Sequence, residues 1–192
     1  MTILVAFASA HWSTKGIAEE IADRLAKGGF RASVRPVSEV DSVAAYEAVV
    51  LGSAIHNQEW LAPAAEFLER HTHDLAQKPV WLFSVSSVGE TSSFFSPRVS
   101  GLVRRHRPDA KAITRARDAI HPRDHHHFAG AVQRGQWGRM GDLLLKLCGG
   151  SNGDHRDWHD VDEWSARILR ELEAQDRARE RRRLRLVPKA RP

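Results

Sequence analysis

The sequence has a single cysteine, Cys148, in 192 residues. One cysteine can form neither an internal disulfide nor a cysteine-based zinc site, and it fits a reducing, cytoplasmic compartment. Long apolar runs are also missing. Ala48-Val49-Val50-Leu51 and Leu143-Leu144-Leu145 are examples of the runs present, and even the longest, residues 3–8, has six residues. All fall far short of the roughly 20 residues that span a bilayer. No basic stretch precedes the apolar residues 3–8, so no secretory leader is expected. The turn after that run has no Gly-x-Gly-x-x-Gly and no Walker lysine pattern, and Pro36 and Val37 stand where an acid for a ribose would fall. A dinucleotide Rossmann reading and a P-loop ATPase reading both lose their support.

What is present is ordinary for a globular protein: 42 % apolar and 28 % charged residues. The length suits one domain with something left over. The net charge of +5 is unevenly placed. Residues 177–192 carry eight bases and one acid, or +7, which leaves the body at −2. No specific nucleic acid is therefore expected as a partner of the body. We divide the chain into a domain over residues 1–175 and a basic C-terminal tail over 176–192. The tail reads as disordered or loosely attached, and as a possible contact with an anionic membrane surface.

Apolar periodicity orders the rest. Residues 3–8 form a buried-type strand. Ile17, Ile21 and Leu25 mark a helix that begins at Ser13 and closes at Lys27-Gly28-Gly29. Residues 32–37 alternate like an edge strand, which Pro36 fits. Residues 48–51 and 79–85 are further buried strands, residues 125–132 read as the last one, and a helix runs between 51 and 79. A short basic helix is expected over 97–107, and two more helices around 138–147 and from Val161. Residues 109–120 read as a short strand or a loop. Continuous apolar strands alternating with helices predict a doubly wound α/β fold, with a five-stranded parallel sheet covered on both faces. Ligands of such folds sit beyond the carboxyl ends of the strands.

The loops at those ends are therefore the places to look. Ser9, His11, Trp12, Ser13 and Thr14 surround a helix start, where hydroxyls and free amides suit a phosphate-sized anion. A second loop offers Ala54, Ile55, His56 and Asn57. A third offers Ser86, Ser87, Val88, Gly89 and Glu90. Small residues there let backbone approach a flat ring system.

Together these segments resemble flavodoxin-like proteins, in particular the flavodoxin-domain group that includes menaquinone-dependent protoporphyrinogen oxidase. The resemblance rests on residues 3–9 with Ser13-Thr14 and Ile17-Ala18, on residues 46–54 and 79–84, on His127-Phe128-Ala129-Gly130, and on residues 153–158. It spans residues 2–173. It implies FMN, with its phosphate on Ser9, His11, Trp12, Ser13 and Thr14, and its ring between the second and third loops. Another flavin or a deazaflavin is the alternative ligand. The redox chemistry would be the cofactor's own, so no catalytic acid or base is named. A redox partner protein or a quinone would exchange the electrons.

Three functions follow as expectations. The first is an FMN-binding electron carrier or oxidoreductase. The second is a porphyrinogen oxidase coupled to a quinone. The third is a non-catalytic flavin binder or a degenerate domain without cofactor. One departure bears on all three: the family usually has glycine where this chain has Trp12. The indole would block the anion site, point outward, or fold over the cofactor as a lid. Trp60 reads as a packing residue that begins a helix, Tyr46 reads as structural, and Phe94 and Phe95 remain as aromatic candidates near the ring. His125, His126 and His127 alternate across a strand and cannot converge on one metal, so no metal site is assigned.

Overall fold

The computed structural model describes residues 1–132 and 138–186. Its first strand, β1 (Thr2–Ala8), is buried from Ile3 onward. It feeds α1 (Ser13–Lys27), whose Ile17, Ala18, Ile21, Ala22 and Leu25 all face inward. The helix ends as its sequence dictates. Gly29 takes φ +89°, and the Phe30 amide donates back to the Leu25 carbonyl.

β2 (Arg31–Pro36) returns alongside β1, and β3 (Ala48–His56) pairs on β1's other side. Then come β4 (Glu59–Trp60), α2 (Ala62–Leu75), β5 (Val80–Ser86), α3 (Pro97–His106), α4 (Lys111–Ile120) and β6 (Asp124–Ala129). β7 (Ala131–Val132), α5 (Gly138–Leu147), β8 (Gly153–Asp154) and α6 (Trp158–Leu186) complete the described chain. The strand order is β2-β1-β3-β5-β6, and every neighbouring pair is parallel. β4 pairs antiparallel with β3, off this path. This is the doubly wound five-stranded sheet expected from the sequence.

Alternate residues of each strand enter opposite cores. Ile3, Val5 and Phe7 pack under α1 and α6 with Trp81, Phe83 and Trp164. Leu4, Ala6 and Ala8 pack under α2 and α4 with Leu51, Leu82 and Ile113. Because β1 has β2 on one side and β3 on the other, the winding reverses between β1 and β3. A crevice opens at their carboxyl ends.

Four boundaries differ from the sequence reading. Residues 111–120 are helical, not strand or loop: Ile113, Ala116 and Ile120 form a buried stripe one to two turns apart. β6 stops at Ala129, and Ala131–Val132 leave the sheet to pair antiparallel with Gly153–Asp154. β3 runs on to His56 and folds back on β4 through Asn57 and Gln58, both at positive φ, as a two-residue hairpin requires. Trp60 therefore sits in a strand, and α2 starts at Ala62.

The largest difference is in the basic segment. Its composition reads as disordered, yet α6 continues through it as far as Leu186. Glu, Arg and Ala are strong helix formers, and Arg177 lies 3.5 Å from Glu173 one turn back. Arg179 adds a contact to Glu47 at 2.9 Å. Residues 187–192 of that segment lie outside the described residues.

Candidate cofactor site

The turn from β1 into α1 forms one wall of the crevice. Trp12 precedes the helix in a left-handed conformation, φ +65° and ψ −19°. That conformation is natural for glycine and strained for tryptophan. The indole turns outward, is 74 % exposed, and stays off the crevice wall. Of the three arrangements open from the sequence, the structure adopts the outward one.

Among the described residues no side chain caps α1, so the positive end of the helix faces the turn without a neutralising partner. Beneath the turn, Ser9 Oγ and Thr14 Oγ1 are shielded from solvent and have no hydrogen-bond partner among the described residues. Thr14 is fully buried. Buried hydroxyls almost always find partners, so two orphans in one turn call for an acceptor. The Arg156 guanidinium adds positive charge. It lies so close to the first turn of α1 that a Cβ at Gly16 would meet its Nη1 at 2.5 Å. Arg156 is held there by Asp154 at 2.6 Å and by the Trp158 ring at 4.4 Å. The same ion pair pulls the Asp154 carboxyl below its ordinary range.

The crevice itself is an open cleft of about 220 Å³. It brings together His11 and Ser13 from the first loop, Ala54, Ile55 and His56 from the second, and Ser86 and Ser87 from the third. The remaining expected residues lie elsewhere. Asn57 is exposed at the hairpin turn. Val88 and Gly89 are buried against β6, and the Glu90 amide donates to the His127 carbonyl. The cleft side of the third loop thus ends at Ser87.

The basic helix α3 and Arg107, the residue that follows it, explain how that loop is held. Arg104 Nε donates to the Gly89 carbonyl at 2.7 Å, and Arg107 Nη1 donates to the Val88 carbonyl at 2.9 Å. Arg107 also pairs with Glu90 at 3.0 Å. These arginines fasten the loop and are not directed into the cleft.

Sequence reasoning missed Gly130, Ala131 and Val132, which also line the cleft; Gly130 sits against the first loop, where a Cβ would lie 3.2 Å from Ser13 Oγ. Their apolar character reads as strand, and only Gly130 signals the break. Phe94, one of the aromatic candidates, contributes a wall and packs on His155 with ring centroids 5.0 Å apart. Trp60 is buried and donates from Nε1 to Ser84 Oγ at 2.8 Å, the packing role expected of it. A second hollow lies between α2 and α4, bordered by Glu59 and Trp60 of β4.

A family model described as flavodoxin domain matches residues 4–157. The chain belongs to the flavodoxin domain family. Solved structures agree on the fold. A flavodoxin from Pseudomonas aeruginosa, solved as a cysteine-to-serine mutant, superposes with a TM-score of 0.57 at 12 % identity, over 90 % of this chain and 99 % of that one. A flavodoxin from Streptococcus pneumoniae gives 0.51 at 14 % identity, over 91 % and 99 %. The rubredoxin oxygen:oxidoreductase of Desulfovibrio gigas gives 0.58 at 15 % identity, over 90 % of this chain. This flavodoxin domain spans only 36 % of the length of that enzyme. No curated protein matches the chain in sequence. Among the described residues, no helix is long and apolar enough to cross a membrane.

Proposed function

We propose that this flavodoxin domain binds FMN at the strand-end cleft and serves electron transfer. The observation that carries the reading is the pair of orphaned hydroxyls, Ser9 Oγ and Thr14 Oγ1, beneath an uncapped helix start. Both would donate to phosphate oxygens, assisted by the amides of the first turn of α1 and by the field of Arg156. Ser13 and His11 would border the phosphate. Ala54, Ile55 and His56 on one side, with Ser86, Ser87 and Phe94 on the other, would border the ring.

When bound, FMN supplies one- and two-electron chemistry. The chain's own part is to orient the ring and to exclude water with Val85, Phe94 and Val132. Loop 86–90 is kept rigid for this by Arg104 and Arg107. A redox partner protein or a quinone would approach the exposed rim at His11 and His56.

The narrower reading, a porphyrinogen oxidase coupled to a quinone, has one structural feature in its favour. The exposed arginines Arg177, Arg179, Arg181 and Arg182 extend α6 into a basic rod that suits an anionic membrane surface, where a quinone resides. The deciding test of flavin binding is the visible spectrum of the purified protein before and after FMN is added. Saturable uptake of flavin supports the proposal. A colourless protein with no affinity for FMN would leave a degenerate domain, and a preference for deazaflavin would move the assignment to that ligand.

A further inference from the structure

A second cluster of polar side chains lies outside the residues that line the cleft. On the edge strand β6, His125 and His127 are alternate residues and so share a face. Their ring centroids lie 4.4 Å apart. His126 points the other way, to Asp160 at 3.0 Å. The three adjacent histidines therefore do not converge, but a third donor reaches the pair from elsewhere. Asp109, in the connection between α3 and α4, places its Oδ1 3.9 Å from His125 Nδ1. One donor atom from each of Asp109, His125 and His127 falls within 4.8 Å of the others.

We propose that Asp109, His125 and His127 bind one divalent transition-metal ion of the zinc class, with solvent completing the coordination. Beyond the clustering of donors, three observations support this. The Nδ1 atoms of His125 and His127 are both shielded from solvent and have no hydrogen-bond partner among the described residues. Two partnerless nitrogens in a packed core are costly unless something accepts their lone pairs. Burial pushes the imidazoles down to about 4 for His125 and about 2 for His127, so both are neutral at pH 7 and fit to ligate. On the far side of the His125 ring, Nε2 lies 2.8 Å from Ser84 Oγ, which also accepts from Trp60 Nε1 at 2.8 Å. Such an outer partner fixes the orientation of a ligating histidine.

The donor set is also right for the ion. Two imidazoles and one carboxylate suit zinc, which takes three protein ligands and leaves one position for water. Tetrahedral donors at about 2.0–2.1 Å from zinc stand about 3.4 Å apart, so small side-chain adjustments close the cluster. Arg107, Arg117 and Asp124 also act electrostatically on the His125 ring. Arg117 is paired with Asp109 Oδ2, and Arg107 with Glu90, which leaves Asp109 Oδ1 for the metal. The bound ion would fasten the α3–α4 connection to the edge strand. Arg107, two residues from Asp109, holds the Val88 carbonyl, so the same clip would steady the loop beside the cofactor cleft.

The test uses the full chain without a histidine tag, stripped with a chelator and titrated with cobalt followed by visible absorbance. Zinc then competes. The expected result is one cobalt per chain with a tetrahedral ligand-field spectrum that zinc displaces. Asp109→Asn and His127→Asn should each weaken cobalt by more than about 100-fold, since even outer partners of a metal ligand are worth about 10- to 100-fold. His121→Ala and His159→Ala, both exposed, should bind as the parent does. Asp109 is one-third exposed at its side chain, so Asp109→Asn decides the matter if His127→Asn fails to fold. A parent that takes up no cobalt overturns the proposal, as does equal uptake by Asp109→Asn.

Discussion

The Lys15 ammonium lies 5.1 Å from the centroid of the Trp12 indole, on the outer surface of the turn that joins β1 to α1. The contact holds the indole away from the cleft while the Trp12 backbone keeps a glycine-like conformation. An L-residue pays about 1–2 kcal/mol for that conformation, whereas glycine loses about 0.5–1 kcal/mol of chain entropy. Trp12→Gly should therefore raise stability by up to about 1 kcal/mol in urea unfolding. Its FMN affinity should stay within about threefold of the parent, because the side chain removed touches no part of the cleft. A tenfold change in either direction would show that the indole reaches the cofactor.

Stability should depend on pH through the buried histidines. His71, His125 and His127 are all held neutral, chiefly by burial. Their folded values lie below the 6.5 of the free side chain, so the unfolded chain binds more protons below that pH. The stability they contribute is complete above pH 6.5. It is lost as the pH falls toward about 4 for His125 and about 2 for His127. Each of these two should cost about 1.4 kcal/mol per pH unit inside its window. Denaturant unfolding at pH 7 and pH 5, with a chelator present, should show the loss, and His125→Gln should reduce the slope. A slope unchanged in His125→Gln would mean that this ring is not kept neutral.

Gly89 is placed where no side chain fits. A Cβ there would lie 2.3 Å from the Ala129 amide nitrogen and 2.8 Å from the Phe128 carbonyl carbon, both backbone atoms. Gly89→Ala should push loop 86–90 off β6, break the Glu90–His127 hydrogen bond, and cost about 1–3 kcal/mol. An unchanged urea midpoint would contradict this packing.

Removing residues 177–192 should leave the fold intact. Within the described part of this segment, the ion pairs that tie it to the rest are exposed. They join Arg177 to Glu173 and Arg179 to Glu47, and each is worth at most about 1 kcal/mol. Binding to vesicles rich in anionic lipid should fall sharply if the basic end of α6 is a membrane contact. Equal binding by the truncated chain would remove that role.

The main sheet was legible because β1, β3 and β5 each contain an uninterrupted apolar run, over 3–8, 48–51 and 80–83, the pattern of a strand buried on both faces. α4 was not legible. Its ten residues carry Lys111, Arg115, Arg117 and Asp118 among five apolar residues, of which Ile113, Ala116 and Ile120 are buried, too short a window for a clear period. The end of α6 has no apolar period at all; it is helical through intrinsic preference and i,i+4 charges, which composition alone reads as a tail.

The cofactor cleft was half legible, since strand-end loops can be located from the strands. Gly130, Ala131 and Val132 escaped because the apolar run of β6 continues past the point where the chain leaves the sheet. Asp109 could not be joined to His125 and His127 from the sequence, because only the packing of the α3–α4 connection onto the edge strand brings them together.

The hydroxyls of Ser9 and Thr14 stand at the centre of the proposed function, as donors to a phosphate. Thr14→Val keeps the shape and deletes one orphaned donor, and Ser9→Ala deletes the other. The direct measurement is a calorimetric titration of the parent and both variants with FMN and with riboflavin, which lacks the phosphate. Each variant is predicted to lose about tenfold to a hundredfold toward FMN, or about 1.5–3 kcal/mol for a charge-assisted hydrogen bond, and little toward riboflavin. Equal losses for the two flavins, or FMN binding untouched in both variants, would contradict it.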